Sequence, residues 1–147
     1  MPQHQLVIKN QTQELTRLSG WVRDLENELG VSAQCWFRLE LILEEAVYNS
    51  ITHAYNDQDE HTITITIQQH GESLLLKIID DGLPYNPLDD PKPAQPTSLD
   101  EASPGGLGIH LIRSYVDEIS YRREGSFNIL TMVLQDRVDL AFCDLVT

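Results

Sequence analysis

The sequence predicts an α+β sandwich in which helices pack on one face of a mostly antiparallel sheet. Strand and helix patterns follow one another in the order strand, two helices, hairpin, long loop, helix and hairpin. The chain has 147 residues, of which 41% are hydrophobic and 22% charged, as expected for one globular domain with a substantial core. No internal repeat is visible, so we expect a single domain over residues 1–136 and a tail over residues 137–147.

The N-terminal part of the chain predicts one strand and two helices. Residues 4–9 (HQLVIK) suit a short first strand. Apolar residues then recur at helical spacing as far as Gly30, and glycine commonly ends helices. Ser32 is a favourable N-cap for a long second helix over residues 32–55, because that segment has one broad apolar face.

Two hairpins supply the rest of the predicted sheet. Residues 62–67 (TITITI) alternate strictly and are β-branched throughout, which is typical of a strand. Residues 74–79 form the partner strand after a short turn at His70, Gly71 and Glu72. Two further strands are predicted near residues 118–123 and 128–134, and they are joined by a turn at Gly125.

A long loop separates the first hairpin from the third helix. Six of the seven prolines lie between Pro84 and Pro104, together with several acidic residues. Such loops inside a compact domain are usually either disordered linkers or functional lids, and the sequence leaves both interpretations open. The third helix is predicted to begin at the glycine-rich run at residues 105–108.

The charge and the lack of targeting signals exclude several functional classes. Ten basic and 23 acidic residues give a net charge of −13, which repels phosphate backbones and argues against direct nucleic-acid binding. No apolar run reaches the roughly 18 residues of a membrane helix, and no secretory signal is visible, so we expect a cytoplasmic protein without membrane contact. Cys35 and Cys143 form no metal or redox motif. A bound phosphate would therefore depend on a metal ion, backbone N–H groups or a helix N-terminus.

Glu45 and Asn49 form the first candidate cluster, on the second predicted helix. Helical residues four apart project from one face, with Cβ atoms roughly 6 Å apart. A carboxylate beside an amide could orient a hydroxyl group and ligate a hard cation, although this spacing is also common on solvated helix faces. His53 follows one turn later, where a packed or capping histidine is the simpler interpretation.

Asp80, Asp81 and Gly82 form the second cluster, directly after an apolar strand. Two unpaired acids buried at a strand end would be costly, so at least one of them should face solvent or a polar ligand. Asp-Gly is also a common turn dipeptide, so an ordinary turn is the alternative interpretation.

The third cluster is the run Gly105, Gly106, Leu107 and Gly108, where the long loop meets the third helix. Glycine permits close backbone approach, and the start of a helix offers unpaired N–H groups to an anion. The run completes neither a P-loop nor a GxGxxG fingerprint. A glycine hinge for the loop is the alternative interpretation.

Taken in order, the three clusters resemble the nucleotide site of the Bergerat-fold (GHKL) ATPases, the superfamily of gyrase, mismatch-repair and chaperone ATPases and histidine kinases. EAVYN at residues 45–49 is similar to the N box, DDG at 80–82 to the first glycine box, and GGLGIHLI at 105–112 to the second. Within that superfamily the chain resembles the free-standing bacterial anti-sigma factor serine/threonine kinases over roughly residues 5–135, including the final DEISYRREGSFNILTMVL segment. The resemblance implies a Bergerat-type two-layer sandwich, with a mixed, mostly antiparallel sheet, about three helices on one face and a long ATP lid.

The resemblance also implies a role for each cluster. Glu45 would be the general base that polarises an attacking hydroxyl, and Asn49 would ligate Mg²⁺. Asp80 would accept a hydrogen bond from the adenine amino group, with Gly82 letting the backbone approach the base. Four residues of the second glycine box would close around the triphosphate: Gly105, Gly106, Leu107 and Gly108.

By the same resemblance, ATP and Mg²⁺ would be the cofactors, and the γ-phosphoryl group would go to a serine or threonine of a STAS-type anti-sigma factor antagonist. A sigma factor would be a second partner, and relatives are often homodimers. Two alternatives remain: a non-catalytic nucleotide-dependent binding switch, and a purely structural interaction module. Retention of both Glu45 and Asn49 favours the enzyme. Within the superfamily, we expect a chain of 147 residues to be a free-standing kinase, since this length does not suit an added transducer or phosphoacceptor domain.

Overall fold

The computed structural model describes residues 3–89 and 104–136, without the side chains of residues 104–108. In this part of the chain, five strands form one sheet in the order β1-β2-β3-β5-β4, and every neighbouring pair is antiparallel. The α+β fold class predicted from the sequence is confirmed. The strands are β1 (Gln3–Lys9), β2 (Thr62–His70), β3 (Ser73–Asp80), β4 (Glu118–Glu124) and β5 (Phe127–Gln135).

In the described part of the chain, four α-helices accompany the sheet: α1 (Leu15–Asp24), α2 (Glu26–Leu29), α3 (Ala33–His53) and α4 (Pro104–Tyr115). The first predicted helix is continuous in the sequence pattern but divided in the structure, because the N–H of Leu25 bonds to the carbonyl of Val22 and tightens the chain there. Gly30 ends α2 in the left-handed conformation, with φ of 63°, as predicted.

Helix α3 forms where the sequence predicts it. The Ser32 hydroxyl accepts a hydrogen bond from the Cys35 N–H at 3.2 Å and so caps the first turn. The apolar face of α3 belongs to the same buried cluster as residues of β2, β3 and β5. The members that α3 contributes are Cys35, Leu39, Ile42, Leu43, Ala46 and Val47.

The strand registers bring the candidate site together. A two-residue turn, with Gly71 at φ of 60°, joins β2 to β3 and fixes their pairing. The pairing of β3 with β5 then places Asp80 directly opposite Asn128. The end of β3 therefore lies beside the end of α3 and the start of β5, which is where the polar side chains collect.

Two predicted segments lie outside the described residues: most of the proline-rich loop, at residues 90–103, and the tail at residues 137–147. Among the described residues, none of the helices combines the length and apolar character needed to cross a lipid bilayer.

Candidate functional site

A small pocket opens between α3 and the ends of β3 and β5. Its polar lining includes the side chains of two predicted site residues, Asn49 and Asp80, both of which are buried. The hydrophobic floor is formed by residues such as Ala46, Ile78 and Leu130. Apolar walls with a few convergent polar groups are typical of a site for a small organic ligand.

Asp80 presents a buried carboxylate to this pocket, with only 4% of its surface exposed. Its Oδ1 accepts hydrogen bonds from the Gly82 N–H at 3.0 Å and from Asn128 Nδ2 at 2.8 Å. Burial raises the pKa of Asp80, and these two donors together with the Ser50 hydroxyl oppose the rise. The side chain is thus held as a hydrogen-bond acceptor inside a largely apolar pocket.

Asp81 has a different environment from its neighbour. It is exposed, its Oδ1 accepts from the Tyr55 hydroxyl at 3.4 Å, and a carboxylate oxygen lies 3.3 Å from His61 Nδ1. The expectation that at least one of the two acids faces solvent is therefore confirmed.

Asn49 has a buried side-chain amide without a protein partner among the described residues. Its side chain is 3% exposed, and neither its Oδ1 nor its Nδ2 has a hydrogen-bond partner within the described residues. A buried amide without partners costs roughly 1–3 kcal/mol, so such a group calls for an explanation, which can be a bound water, an ion or a catalytic role. An amide oxygen that lines a pocket and has no protein partner fits a magnesium ligand, because Mg²⁺ prefers oxygen donors.

Glu45 lies one turn before Asn49 on α3 and is half-buried. Burial, with a smaller contribution from the neighbouring Glu44, raises the pKa of Glu45 above its ordinary value. A carboxylate with a raised pKa is a stronger proton acceptor than an ordinary surface glutamate.

Gly82 is required by close packing against the end of α3. A Cβ atom at this position would lie 2.4 Å from the Ala54 carbonyl oxygen and 2.7 Å from the Ala54 Cβ. The next residue, Leu83, donates its N–H to the same carbonyl at 2.7 Å. This close packing explains why a glycine is needed at position 82. The approach of the Gly82 backbone to an adenine base stays a prediction.

We expect Gly82→Ala to lower the free energy of unfolding by about 1–3 kcal/mol, because the added methyl group must displace backbone atoms. Gly20→Ala is the matched control. Gly20 lies within α1 with nothing within 4 Å of the added carbon, so the change should be stabilising by up to about 1 kcal/mol. Urea denaturation of the nucleotide-free protein measures both changes, and equal effects would contradict the packing argument.

The glycine-rich run at residues 105–108 lies at the start of α4. The helix starts at Pro104, so Gly105, Gly106, Leu107 and Gly108 occupy its first turns, as the sequence predicts. Proline suits the first turn of a helix because it has no N–H to leave unpaired. The proposed contact of this run with a triphosphate stays a prediction, since a helix N-terminus by itself shows only a capacity for anions.

Sequence reasoning missed Asn128 and the residues around it. Asn128 is 4% exposed, and its Oδ1 accepts from the Tyr121 hydroxyl at 2.5 Å and the Tyr85 N–H at 3.2 Å. Arg123 Nη1 donates both to the same Oδ1, at 3.2 Å, and to the Gly82 carbonyl, at 2.7 Å. An amide at the start of an otherwise apolar strand was the available signal, but only the β3–β5 register connects it with Asp80.

His53 continues the α3 face beyond Asn49 and belongs to no cluster of metal-ligating side chains within residues 3–89 and 109–136. Its exposed ring stacks on Tyr85, with centroids 5.3 Å apart and an interplanar angle of 22°. Tyr85 lines the pocket, so this stack forms part of its rim. The simpler interpretation of His53 as a packed residue is consistent with this contact.

Residues 8–134 match the family model described as the histidine kinase-like ATPase domain, and the chain belongs to this family. It is 36% identical to the serine/threonine-protein kinase BtrW of Bordetella bronchiseptica over 101 aligned residues. The alignment covers 69% of this chain and 71% of BtrW. It is 25% identical to the serine-protein kinase RsbW of Listeria monocytogenes over 138 aligned residues, an alignment that covers 90% of this chain and 87% of RsbW. The resemblance proposed from the three motifs is confirmed at the level of the family.

Solved structures agree on the fold. The RsbU and RsbW domains of a Mycobacterium tuberculosis protein align with a TM-score of 0.66 at 13% identity, covering 92% of this chain. This chain spans 32% of the length of that structure. The histidine kinase domain of a blue-light activated kinase from Erythrobacter litoralis aligns with a TM-score of 0.50 at 17% identity, covering 85% of this chain and 60% of that one.

Proposed function

We propose that this protein is an ATP-dependent serine/threonine protein kinase that phosphorylates an anti-sigma factor antagonist. The observation that carries the proposal is the buried, unpartnered amide of Asn49, one helical turn from Glu45 and lining the same pocket as the Asp80 carboxylate. The kinase names of its relatives and its membership of an ATPase family support the same reaction.

Each predicted residue then has a task that its surroundings suit. Asp80 binds the adenine amino group, since it offers a fixed carboxylate within apolar walls. Asn49 holds Mg²⁺ through its side-chain oxygen. When bound, Mg²⁺ offsets the negative charge of the phosphates, which matters here because Lys92 is the only basic residue between Asp80 and His110.

Glu45 acts as the general base toward the substrate hydroxyl. It accepts the proton as the hydroxyl oxygen attacks the γ-phosphorus, and the bond from that phosphorus to the bridging oxygen of ADP breaks. Its raised pKa makes this acceptance more favourable than for an exposed glutamate.

The proposal also names the protein partners of the kinase. Relatives include a protein named anti-sigma F factor from Oceanobacillus iheyensis, which is 26% identical over 81 residues covering 55% of this chain. We propose a STAS-type antagonist as the phosphate acceptor, a sigma factor as a second partner, and a homodimer as the working form in the cytoplasm. Residues 1–136 would form the kinase domain, followed by the tail at residues 137–147.

Incubation of the full chain with γ-labelled ATP, Mg²⁺ and candidate antagonist proteins tests the proposal. Label on a serine or threonine of the antagonist is the expected result. ATP binding without transfer to any antagonist would favour the alternative, a nucleotide-dependent binding switch. Absence of nucleotide binding would favour a structural interaction module.

Asn49→Ala should weaken ATP binding about 10-fold or more in the presence of Mg²⁺, because the metal loses a ligand. The difference from the wild type should disappear when EDTA removes the metal. Thr52→Ala is the control, since Thr52 bonds only to nearby α3 carbonyls among the described residues. Calorimetric titration with ATP measures all three proteins, and equal Mg²⁺-dependent affinity of Asn49→Ala and wild type would remove Asn49 from the metal site.

A further inference from the structure

Among the described residues, the Asn128 side chain makes five hydrogen bonds, and their chemistry fixes the orientation of its amide. Both partners of Nδ2 are acceptors, namely Asp80 Oδ1 and the Leu83 carbonyl, each at 2.8 Å. All three partners of Oδ1 are donors: the Tyr85 N–H, the Tyr121 hydroxyl and Arg123 Nη1. A rotated amide would set donors against donors and acceptors against acceptors, so the Nδ2 group must face Asp80.

We propose that Asn128 is a positioning residue for nucleotide selection, which holds the Asp80 carboxylate so that its second oxygen meets the adenine amino group. This inference rests on the proposed function. Asn128 and the Gly82 N–H both donate to Oδ1 of Asp80, and the Ser50 hydroxyl also donates to this carboxylate. The Asn128 and Gly82 bonds do not use Oδ2, and a carboxylate oxygen has more than one acceptor position, so Oδ2 can still accept from a base in the pocket. Guanine carries a carbonyl where adenine carries its amino group, so a fixed acceptor selects adenine.

The same contact favours the charged form of the buried carboxylate. Burial raises the pKa of Asp80, and the Asn128 donor opposes that rise. The other titratable or charged groups nearby are Tyr55 and Asp81, which interact with the carboxylate through space, and Arg123, which reaches it through Asn128 and the Gly82 carbonyl. Loss of the Asn128 donor therefore removes both an orienting bond and a stabiliser of the charge.

A purely structural role for Asn128 is the competing explanation, because the residue also ties together the Gly82–Tyr85 loop and β4. Asn128→Asp separates the two roles. It preserves the size of the side chain and the acceptor for Tyr85, Tyr121 and Arg123, but it places a second carboxylate oxygen against Asp80 Oδ1. Two carboxylates at that distance share one proton, and their shared pKa rises strongly.

Calorimetry with ATP and GTP at about pH 8 and about pH 6 tests the inference. For Asn128→Asp we expect ATP affinity to fall about 10-fold or more at the higher pH, with the preference for ATP over GTP lost. At the lower pH the shared proton restores a donor between the two carboxyl groups, so the preference should return. Asn128→Leu cannot regain a donor and should lack the preference at both pH values.

Ile129→Ala is the control for general destabilisation. Ile129 follows Asn128 on β5, but strand alternation places its side chain on the opposite face of the sheet. It should reduce stability and leave the ATP preference intact at both pH values. An unchanged ATP preference in Asn128→Asp at the higher pH, or a loss of preference that does not depend on pH, would overturn the inference.

The results also separate this inference from the proposed function. If the wild type selects ATP and the Asn128 variants behave like it, the positioning role fails and the kinase proposal stands. If the variants lose and regain selection as expected while no antagonist is phosphorylated, the kinase proposal fails and the positioning role stands. If the wild type prefers neither nucleotide, Asp80 selects nothing and the positioning role is wrong.

Discussion

Glu45→Ala should reduce phosphoryl transfer to a protein substrate by about 10²- to 10⁴-fold, because general-base assistance is worth that much in rate. Binding of ATP should be nearly unchanged, since the adenine-binding and metal-binding tasks belong to Asp80 and Asn49. Glu44→Ala is the matched control. Glu44 is the adjacent acid on α3, and it accepts a hydrogen bond from Ser19 of α1 at 2.6 Å. Its loss should change the rate of transfer only slightly, because Glu44 makes the smaller contribution to the raised pKa of Glu45.

The pH profile of the wild type gives a second measure of Glu45. A base must be deprotonated to act, and burial raises the pKa of Glu45. Transfer should therefore decline on acidification at a pH above the ordinary glutamate value of 4.5. Transfer by Glu45→Ala at the wild-type rate would identify Glu45 as an ordinary acid of the helix surface.

Asp80→Asn should weaken ATP binding about 10- to 100-fold, because a hydrogen bond to a charged acceptor contributes roughly 1.5–3 kcal/mol. The Asn oxygen can still accept from the Gly82 N–H and from Asn128, which turns the new amide nitrogen toward the adenine amino group. Two donors would then face each other. Asp81→Asn provides the control, since Asp81 is exposed and contacts Tyr55 and His61 instead of the pocket.

Asp80→Asn should weaken ATP binding but raise the free energy of unfolding of the nucleotide-free protein at neutral pH. A carboxyl whose pKa is raised in the folded state binds its proton more tightly folded than unfolded, so the ionised group lowers stability above that pKa. The contribution of Asp80 to wild-type stability should rise as the pH falls from its raised folded-state pKa toward the ordinary value of 3.8. The variant should show a smaller dependence on pH, because it keeps only the contributions of other groups such as Glu45. Unfolding by urea at several pH values measures both, and a variant that is less stable at neutral pH would contradict the linkage.

Most of the fold followed from local patterns. Strict alternation at residues 62–67 and the cap at Ser32 are properties of neighbouring residues, and both elements appear where they were predicted. The break at Leu25 was missed because it comes from a single tightened turn inside a continuous apolar pattern. Nothing in the spacing of that segment distinguishes one helix from two.

The site was predictable where it consists of motifs and unpredictable where it depends on register. Glu45 and Asn49 share a helix face, so their relation can be derived from sequence spacing. Asn128 lies 48 residues from Asp80 in the chain, and only the pairing of β3 with β5 places them opposite each other. The packing constraint on Gly82 could not be predicted from the sequence for the same reason, since it arises from the tertiary contact with Ala54.

The most direct test of the central claim is a crystal structure of the full chain with Mg²⁺ and a non-hydrolysable ATP analogue. We expect the adenine amino group to lie within hydrogen-bond distance of Asp80, the metal to bind the Asn49 side-chain oxygen, and Glu45 to face the γ-phosphate. These contacts would give the Asn49 amide the partner that it lacks among the described residues. A nucleotide bound elsewhere on the protein, or bound here without contact to Asp80 and Asn49, would contradict the account.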